Sequence, residues 1–303
     1  MKLSQLLTST AASFALFASA PALADGHIEA SQATSDSNGP ALWKVADEDT
    51  TIYLFGTVHA LPSGLEWYDE EIAAALTASD TLVTEIRMDP QSEAAMTKVA
   101  MEKSLLPAGT TLRSLLDAEQ TATYEAALSK LGYPAAAFDR YKPWMAGLTL
   151  ALLPLIQQGY SPESGVEKVL LGKIGDKPQD ALETAEFQLG LFDRLPQEKQ
   201  IAFLIEAVEG VDEAKEVLDA MVAEWMEGDA DALAELMNEG FTDAELAEAL
   251  LYSRNANWVE WIDARLESTP GTVFIAVGAG HLAGEKSVQD LLTDRDIEVE
   301  RVR

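Results

Sequence analysis

Two short frames in this sequence end in histidine after an apolar run: "GTVH" at 56–59 and "GAGH" at 278–281. They lie near opposite ends of the chain, so local repetition does not account for their shared form. Glycine at the end of a strand lets the backbone turn sharply or approach a ligand closely, and the loop beyond it can aim an imidazole. Acids sit in comparable places. Glu85 ends "DTLVTEI", and Glu183 lies in "DALETAE". Two imidazoles with one or two carboxylates suit Zn, Mn, Fe or Co, and such an ion lowers the pKa of bound water and polarises a carbonyl. A carboxylate can instead be the general base. Other roles stay open: Glu85 as an ion-pair partner of Arg87 or Arg254, and Glu183 as an acid attracted to a helix N-terminus.

Certain elements must position these residues. "ALWKVADEDTTIYLFGTVH" reads as a β-hairpin turning at Asp47-Glu48-Asp49. A helix over "WYDEEIAAALTAS" and a strand at "DTLVTEIRM" then complete a strand–helix–strand unit, the signature of a parallel sheet. Residues 90–160 read mostly as helices, and "AGLTLALLPLIQQ" reads as a buried core helix containing Pro154. "KPQDALETAE" is a weaker strand candidate, and 196–267 are helical in pattern. "TPGTVFIAVGAGHLAGEKSVQDLL" is the strongest strand signal, followed by a turn and a helix, and "IEVERVR" reads as an edge strand. The expected fold is α/β, with a central mixed, mostly parallel sheet and a large helical insertion, all within one domain over 41–303. Both histidines and both acids then fall at the carboxyl edge of the sheet, where open α/β folds place ligands.

Several other motifs fail. "GAGHLAG" has the wrong glycine spacing for a dinucleotide turn, and the sequence contains no H-E-x-x-H, Walker loop or G-x-S-x-G. "WVEWIDARL" reads as a core tryptophan pair. Arg254 and Asn255 stand just before it as polar residues beside an apolar helix.

Composition narrows the setting. A net charge of −30 disfavours nucleic acid and anionic lipid as partners. The absence of cysteine excludes a thiol nucleophile, a thiolate metal site and a lipidated N-terminal Cys. Residues 1–24 read as a cleavable signal peptide ending in Ala22-Leu23-Ala24, and 25–40 as a flexible leader that includes His27. The expected location is the periplasm or the exterior, with no membrane attachment after cleavage.

The segments "ALWKV", "YLFGTVHALP", "ASDTLVTEI", "GVEKVL", "LETAEFQLGLFDRLP", "RNANWVEWI" and "GTVFIAVGAGHLAGEKSVQDLL", in that order, resemble the TraB/GumN family, which includes the Tiki proteases. The resemblance implies a fold related to erythromycin esterase and ChaN-like proteins. In the Tiki branch it implies divalent-metal-dependent peptide-bond hydrolysis. The family's motif histidines correspond to His59 and His281, its glutamate to Glu85, and a frequent Arg-Asn pair to Arg254 and Asn255. One departure is "KPQDALET", where Asp180 interrupts the apolar strand of relatives. The expectation is therefore a periplasmic metal-dependent hydrolase, a peptidase acting on a peptide or protein. His59, Glu85 and His281 would hold Mn, Co or Zn, Gly56 and Gly278 would let the backbone approach it, and Glu183, Arg254 and Asn255 would complete the site. The alternative is a binding protein without turnover that sequesters a peptide, haem or a metal ion.

Overall fold

The computed structural model describes residues 39–238 and 244–303. The expected signal peptide, His27 and nearly all of the leader lie outside the described residues.

The hairpin forms as expected. Strands β1 (Leu42–Ala46) and β2 (Thr50–Thr57) are antiparallel, with Leu42 opposite Phe55. The Asp47 carboxylate accepts the N–H groups of Asp49 and Thr50, which closes the turn. Beyond β3 (Leu61–Pro62), helix α1 (Glu70–Ala78) starts at the Asp69 cap and leads to β4 (Thr81–Thr84). Helices α2 (Pro90–Ser104), α3 (Ala118–Lys130) and α4 (Pro143–Gln157) follow. Most of α4 is buried, Pro154 included, as its apolar sequence requires. Strand β5 (Tyr160–Ser161) pairs with β3, and α5 (Val166–Lys173) returns the chain to β6 (Gln179–Ala181).

A second helical run then comprises α6 (Ala185–Asp193), α7 (Gln197–Glu209), α8 (Ala214–Glu227), α9 (Ala230–Asn238) and α10 (Ala244–Ala247). A π turn at Glu248–Tyr252 runs directly into α11 (Ser253–Ser268). Strand β7 (Gly271–Gly278), α12 (Val288–Thr293) and β8 (Val299–Arg301) end the chain.

The sheet has six strands in the order β6-β4-β7-β2-β1-β8. The first four are parallel; β1 runs against β2, and β8 against β1. Alternation along β2 and β7 builds both faces. Ile52, Leu54, Val273 and Ile275 pack against Trp258, Val259 and Ile262 of α11. Phe55 and Phe274 face Trp67, Ile72 of α1, and Leu218 and Trp225 of α8. Burial on both faces is why β7 reads as a continuous apolar run. Strand β6 is an edge strand with Asp180 exposed. The departure from an apolar strand therefore falls where a charge meets water.

Register aligns the ends of the parallel strands. Thr57 pairs with Gly278, Thr84 with Ala276, and Thr84 with Ala181. Past the last pairs, the Glu183 N–H donates to the Glu85 carbonyl at 2.8 Å. The carboxyl edge thus presents Glu183, Glu85, the loop to His281 and the loop to His59, side by side.

Candidate functional site

His59 is fixed from outside its own strand. The first turn of α5 docks on the loop after β2, where the Val166 N–H donates to the Val58 carbonyl at 3.0 Å. This contact brings Glu167 to His59, with Oε1 lying 2.5 Å from Nδ1. The Thr57 hydroxyl donates to the same oxygen at 2.6 Å. Burial by itself disfavours the imidazolium, but the Glu167 carboxylate outweighs it and raises the His59 pKa above its ordinary value; Glu85 adds to the effect. The Glu167 pKa is depressed in turn: His59 and the Thr57 hydroxyl overcome the cost of burial.

Gly165 is what permits this docking. A Cβ there would stand 2.1 Å from the His59 carbonyl oxygen, a contact with backbone that no rotamer relieves. Gly165→Ala is expected to lower stability by about 3 kcal/mol, the scale of overpacking in a tight site, read as a fall in the urea midpoint. An unchanged midpoint would show that α5 does not depend on this contact.

Opposite His59 lies a buried ionic cluster. Glu85 Oε1 accepts the Gly278 N–H at 2.8 Å, while Oε2 receives Arg254 Nη2 at 2.6 Å and Gln188 Nε2 at 2.9 Å. Arg254 also donates to Glu183 from Nε at 2.9 Å and from Nη2 at 2.9 Å, and to the Leu250 carbonyl at 2.9 Å. Leu250 belongs to the π turn, a rare feature that is frequent at functional sites. Trp258 places its indole N–H on Glu183 Oε1 at 3.0 Å, with its ring 4.8 Å from the guanidinium carbon. For Glu85, burial would raise the pKa, but Arg254, His281, His59 and the Gly278 N–H together hold it well below the usual carboxylate range. Of the open alternatives for Glu85, the ion pair with Arg254 is present; Arg87 is exposed and donates to the Gln179 carbonyl instead.

The protonation of His281 follows from its neighbours. Asn255 Nδ2 donates to the Lys286 carbonyl at 2.8 Å, which turns Oδ1 toward His281 Nδ1 at 2.5 Å. Nδ1 therefore carries the hydrogen, and Nε2 accepts from Arg254 Nη1 at 3.0 Å. Burial, reinforced by the arginine charge, pushes the His281 pKa down to about 3. The ring stays neutral, packed at a tilt against Trp258 with centroids 4.3 Å apart. Its stability contribution is present above the unfolded value near 6.5 and is lost as pH falls toward 3. Acid unfolding is thus expected to begin below about pH 6.5, and His281→Gln to lose that limb. A wild-type curve flat down to pH 4.5 would contradict the assignment.

Gly278 is the floor of the site. A Cβ built on it would lie 3.1 Å from Glu85 Oε1, 3.6 Å from His281 Cδ2 and 3.8 Å from His59 Nε2. His59, Glu85 and His281 therefore converge, with Glu183, Arg254 and Asn255 around them. Gly56 does not face this point. It lies within β2, where a Cβ would stand 3.1 Å from the Ala279 backbone, and its carbonyl accepts the Trp225 indole N–H. Its smallness lets the loop bearing His281 pack on β2.

The expected three-ligand metal set departs from what these side chains offer. His281 Nε2 and Glu85 Oε2 are both spent on Arg254. Among the described residues, and with Arg254 in place between these side chains, no group of three His, Asp or Glu could hold a metal ion. Sequence reasoning missed Glu167, Gln188 and the polar role of Trp258. Glu167 had a local signal, an acid in the first helical turn after "SPESG", but its partner is far away in the chain.

Among the described residues no helix is long and apolar enough to cross a membrane. No solved structure matches the chain. An uncharacterized protein of Treponema pallidum (strain Nichols) is 23% identical over 270 residues, covering 84% of this chain and 80% of its own. The uncharacterized protein YbaP of Escherichia coli (strain K12) is 26% identical over 189 residues, 62% of this chain and 70% of its own. The TraB/PrgY/gumN family profile matches residues 41–301, and the chain belongs to that family.

Proposed function

We propose that the protein is a periplasmic hydrolase of a carbonyl-centred bond, tested first on peptides, in which His59 activates water. The observation that supports this best is the His59–Glu167 pair at the strand ends. A buried carboxylate on Nδ1 fixes the ring and leaves Nε2 toward the site, the arrangement of a general base with its orienting acid. His59 keeps 9% side-chain exposure, against 4% for His281, so it is the more accessible imidazole.

In this reading, water loses a proton to His59 Nε2 as its oxygen bonds to the carbonyl carbon. The imidazolium, stabilised by Glu167, then delivers that proton to the leaving nitrogen as the C–N bond breaks. The products are a carboxylic acid and an amine. Neutral His281 and the Arg254–Glu85–Glu183 cluster hold a fixed wall opposite the base. Peptide substrates and the erythromycin-esterase/ChaN-like likeness are carried from the family resemblance, and the periplasm from the signal sequence.

The base must be neutral to act, so kcat/KM rises with pH through the His59 pKa. Glu167→Gln removes the charge that raises this pKa. The acidic limb is therefore expected to move to lower pH while the maximal rate falls. An acidic limb that stays in place in Glu167→Gln would contradict the role of the pair. Tight peptide binding without cleavage would make the protein a sequestering one.

A further inference from the structure

We infer that Arg254 is the resident cation of this site, occupying the position a divalent metal would take among Glu85, Glu183 and His281. The inference concerns what these three residues hold, and stands whether or not the chain turns over a substrate.

The geometry is that of a caged cation. Nη2 lies 2.6 Å from Glu85 Oε2 and 2.9 Å from Glu183 Oε2, and Nη1 lies 3.0 Å from His281 Nε2. Three donors of the kinds that bind zinc, cobalt or manganese thus point at one guanidinium. His281 Nε2 also lies 3.8 Å from Glu85 Oε1, the oxygen that accepts the Gly278 N–H, so the imidazole and both oxygens of the carboxylate crowd one point. The tautomer of His281 is also that of a metal ligand. Asn255 holds Nδ1–H and leaves the Nε2 lone pair aimed inward, as a carbonyl does behind a zinc-bound histidine. Arg254 is 2% exposed and anchored by the Leu250 carbonyl and the Trp258 ring, so it is built into the site. A fixed guanidinium carries one positive charge, cannot be deprotonated, and bars a second cation from the same space.

Removing the arginine should therefore unmask a metal site. The test is titration of the purified protein and of Arg254→Ala with Co2+ and Zn2+, followed by calorimetry and by the visible absorption of bound cobalt. The wild type is expected to take up no ion through these residues. Arg254→Ala is expected to bind one equivalent per chain, with a tetrahedral cobalt spectrum and a higher thermal midpoint when loaded. Binding should be lost again when His281→Ala is added. Folding of Arg254→Ala only when metal is supplied is the same result in another form.

Stoichiometric metal on the wild type that disappears in His281→Ala would overturn the inference. So would an Arg254→Ala protein that folds without taking up metal, or one that stays unfolded in saturating cobalt and zinc.

Discussion

Arg254→Ala is expected to lose about 3–5 kcal/mol of folding stability, the cost of stranding buried charge. Glu85 and Glu183 both rely on this one guanidinium, and Gln188 is a neutral donor shared between them. Without the arginine, two buried carboxylates face each other with no cation. Glu183→Gln should cost less, because Arg254 then keeps Glu85 and Trp258 keeps an amide oxygen to donate to. Denaturant midpoints of the two variants check the order. Equal losses would mean that the cluster is not centred on Arg254.

His59→Asn is expected to lower turnover by about 10²–10⁴-fold, the usual worth of a positioned general base. The fold should survive, because the buried Glu167 still accepts the Thr57 hydroxyl and can accept an amide N–H. Glu167→Gln should lose less, since it leaves a base of lower pKa in a looser position. The double variant should be little worse than His59→Asn alone, because residues that act as a unit are not additive. Full additivity in the steady-state constants would show that the two side chains act separately.

The parts of this site legible from sequence were those with local signals. Each histidine frame follows an apolar run, and apolar runs ending in glycine mark strand ends. Glu85 was legible because an acid at the end of a buried strand needs a partner. Glu183 was harder to place, because β6 is a short edge strand whose Asp180 faces solvent. The mostly parallel sheet followed from the strand–helix–strand spacing and from the alternation in the hairpin.

What sequence could not show are contacts made by docking distant elements. The Glu167 bond to Thr57 joins residues 110 apart, and it exists because Gly165 lets α5 rest on the His59 carbonyl. Arg254 looked like a polar residue beside an apolar helix; the π turn and the Leu250 carbonyl direct its guanidinium between two acids. That placement changes the chemistry, because it occupies the His281 lone pair that a metal would need. Gly56 shows the same limit. Its frame matches that of Gly278, yet one glycine packs against the Ala279 backbone and the other underlies the site.

Whether His59 activates water without a metal is decided by a peptide-library digest with the purified protein after exhaustive chelation, run beside His59→Asn. Cleavage is expected to survive the chelator and to disappear with His59. Cleavage that requires added metal, or that continues undiminished in His59→Asn, would contradict this role for His59.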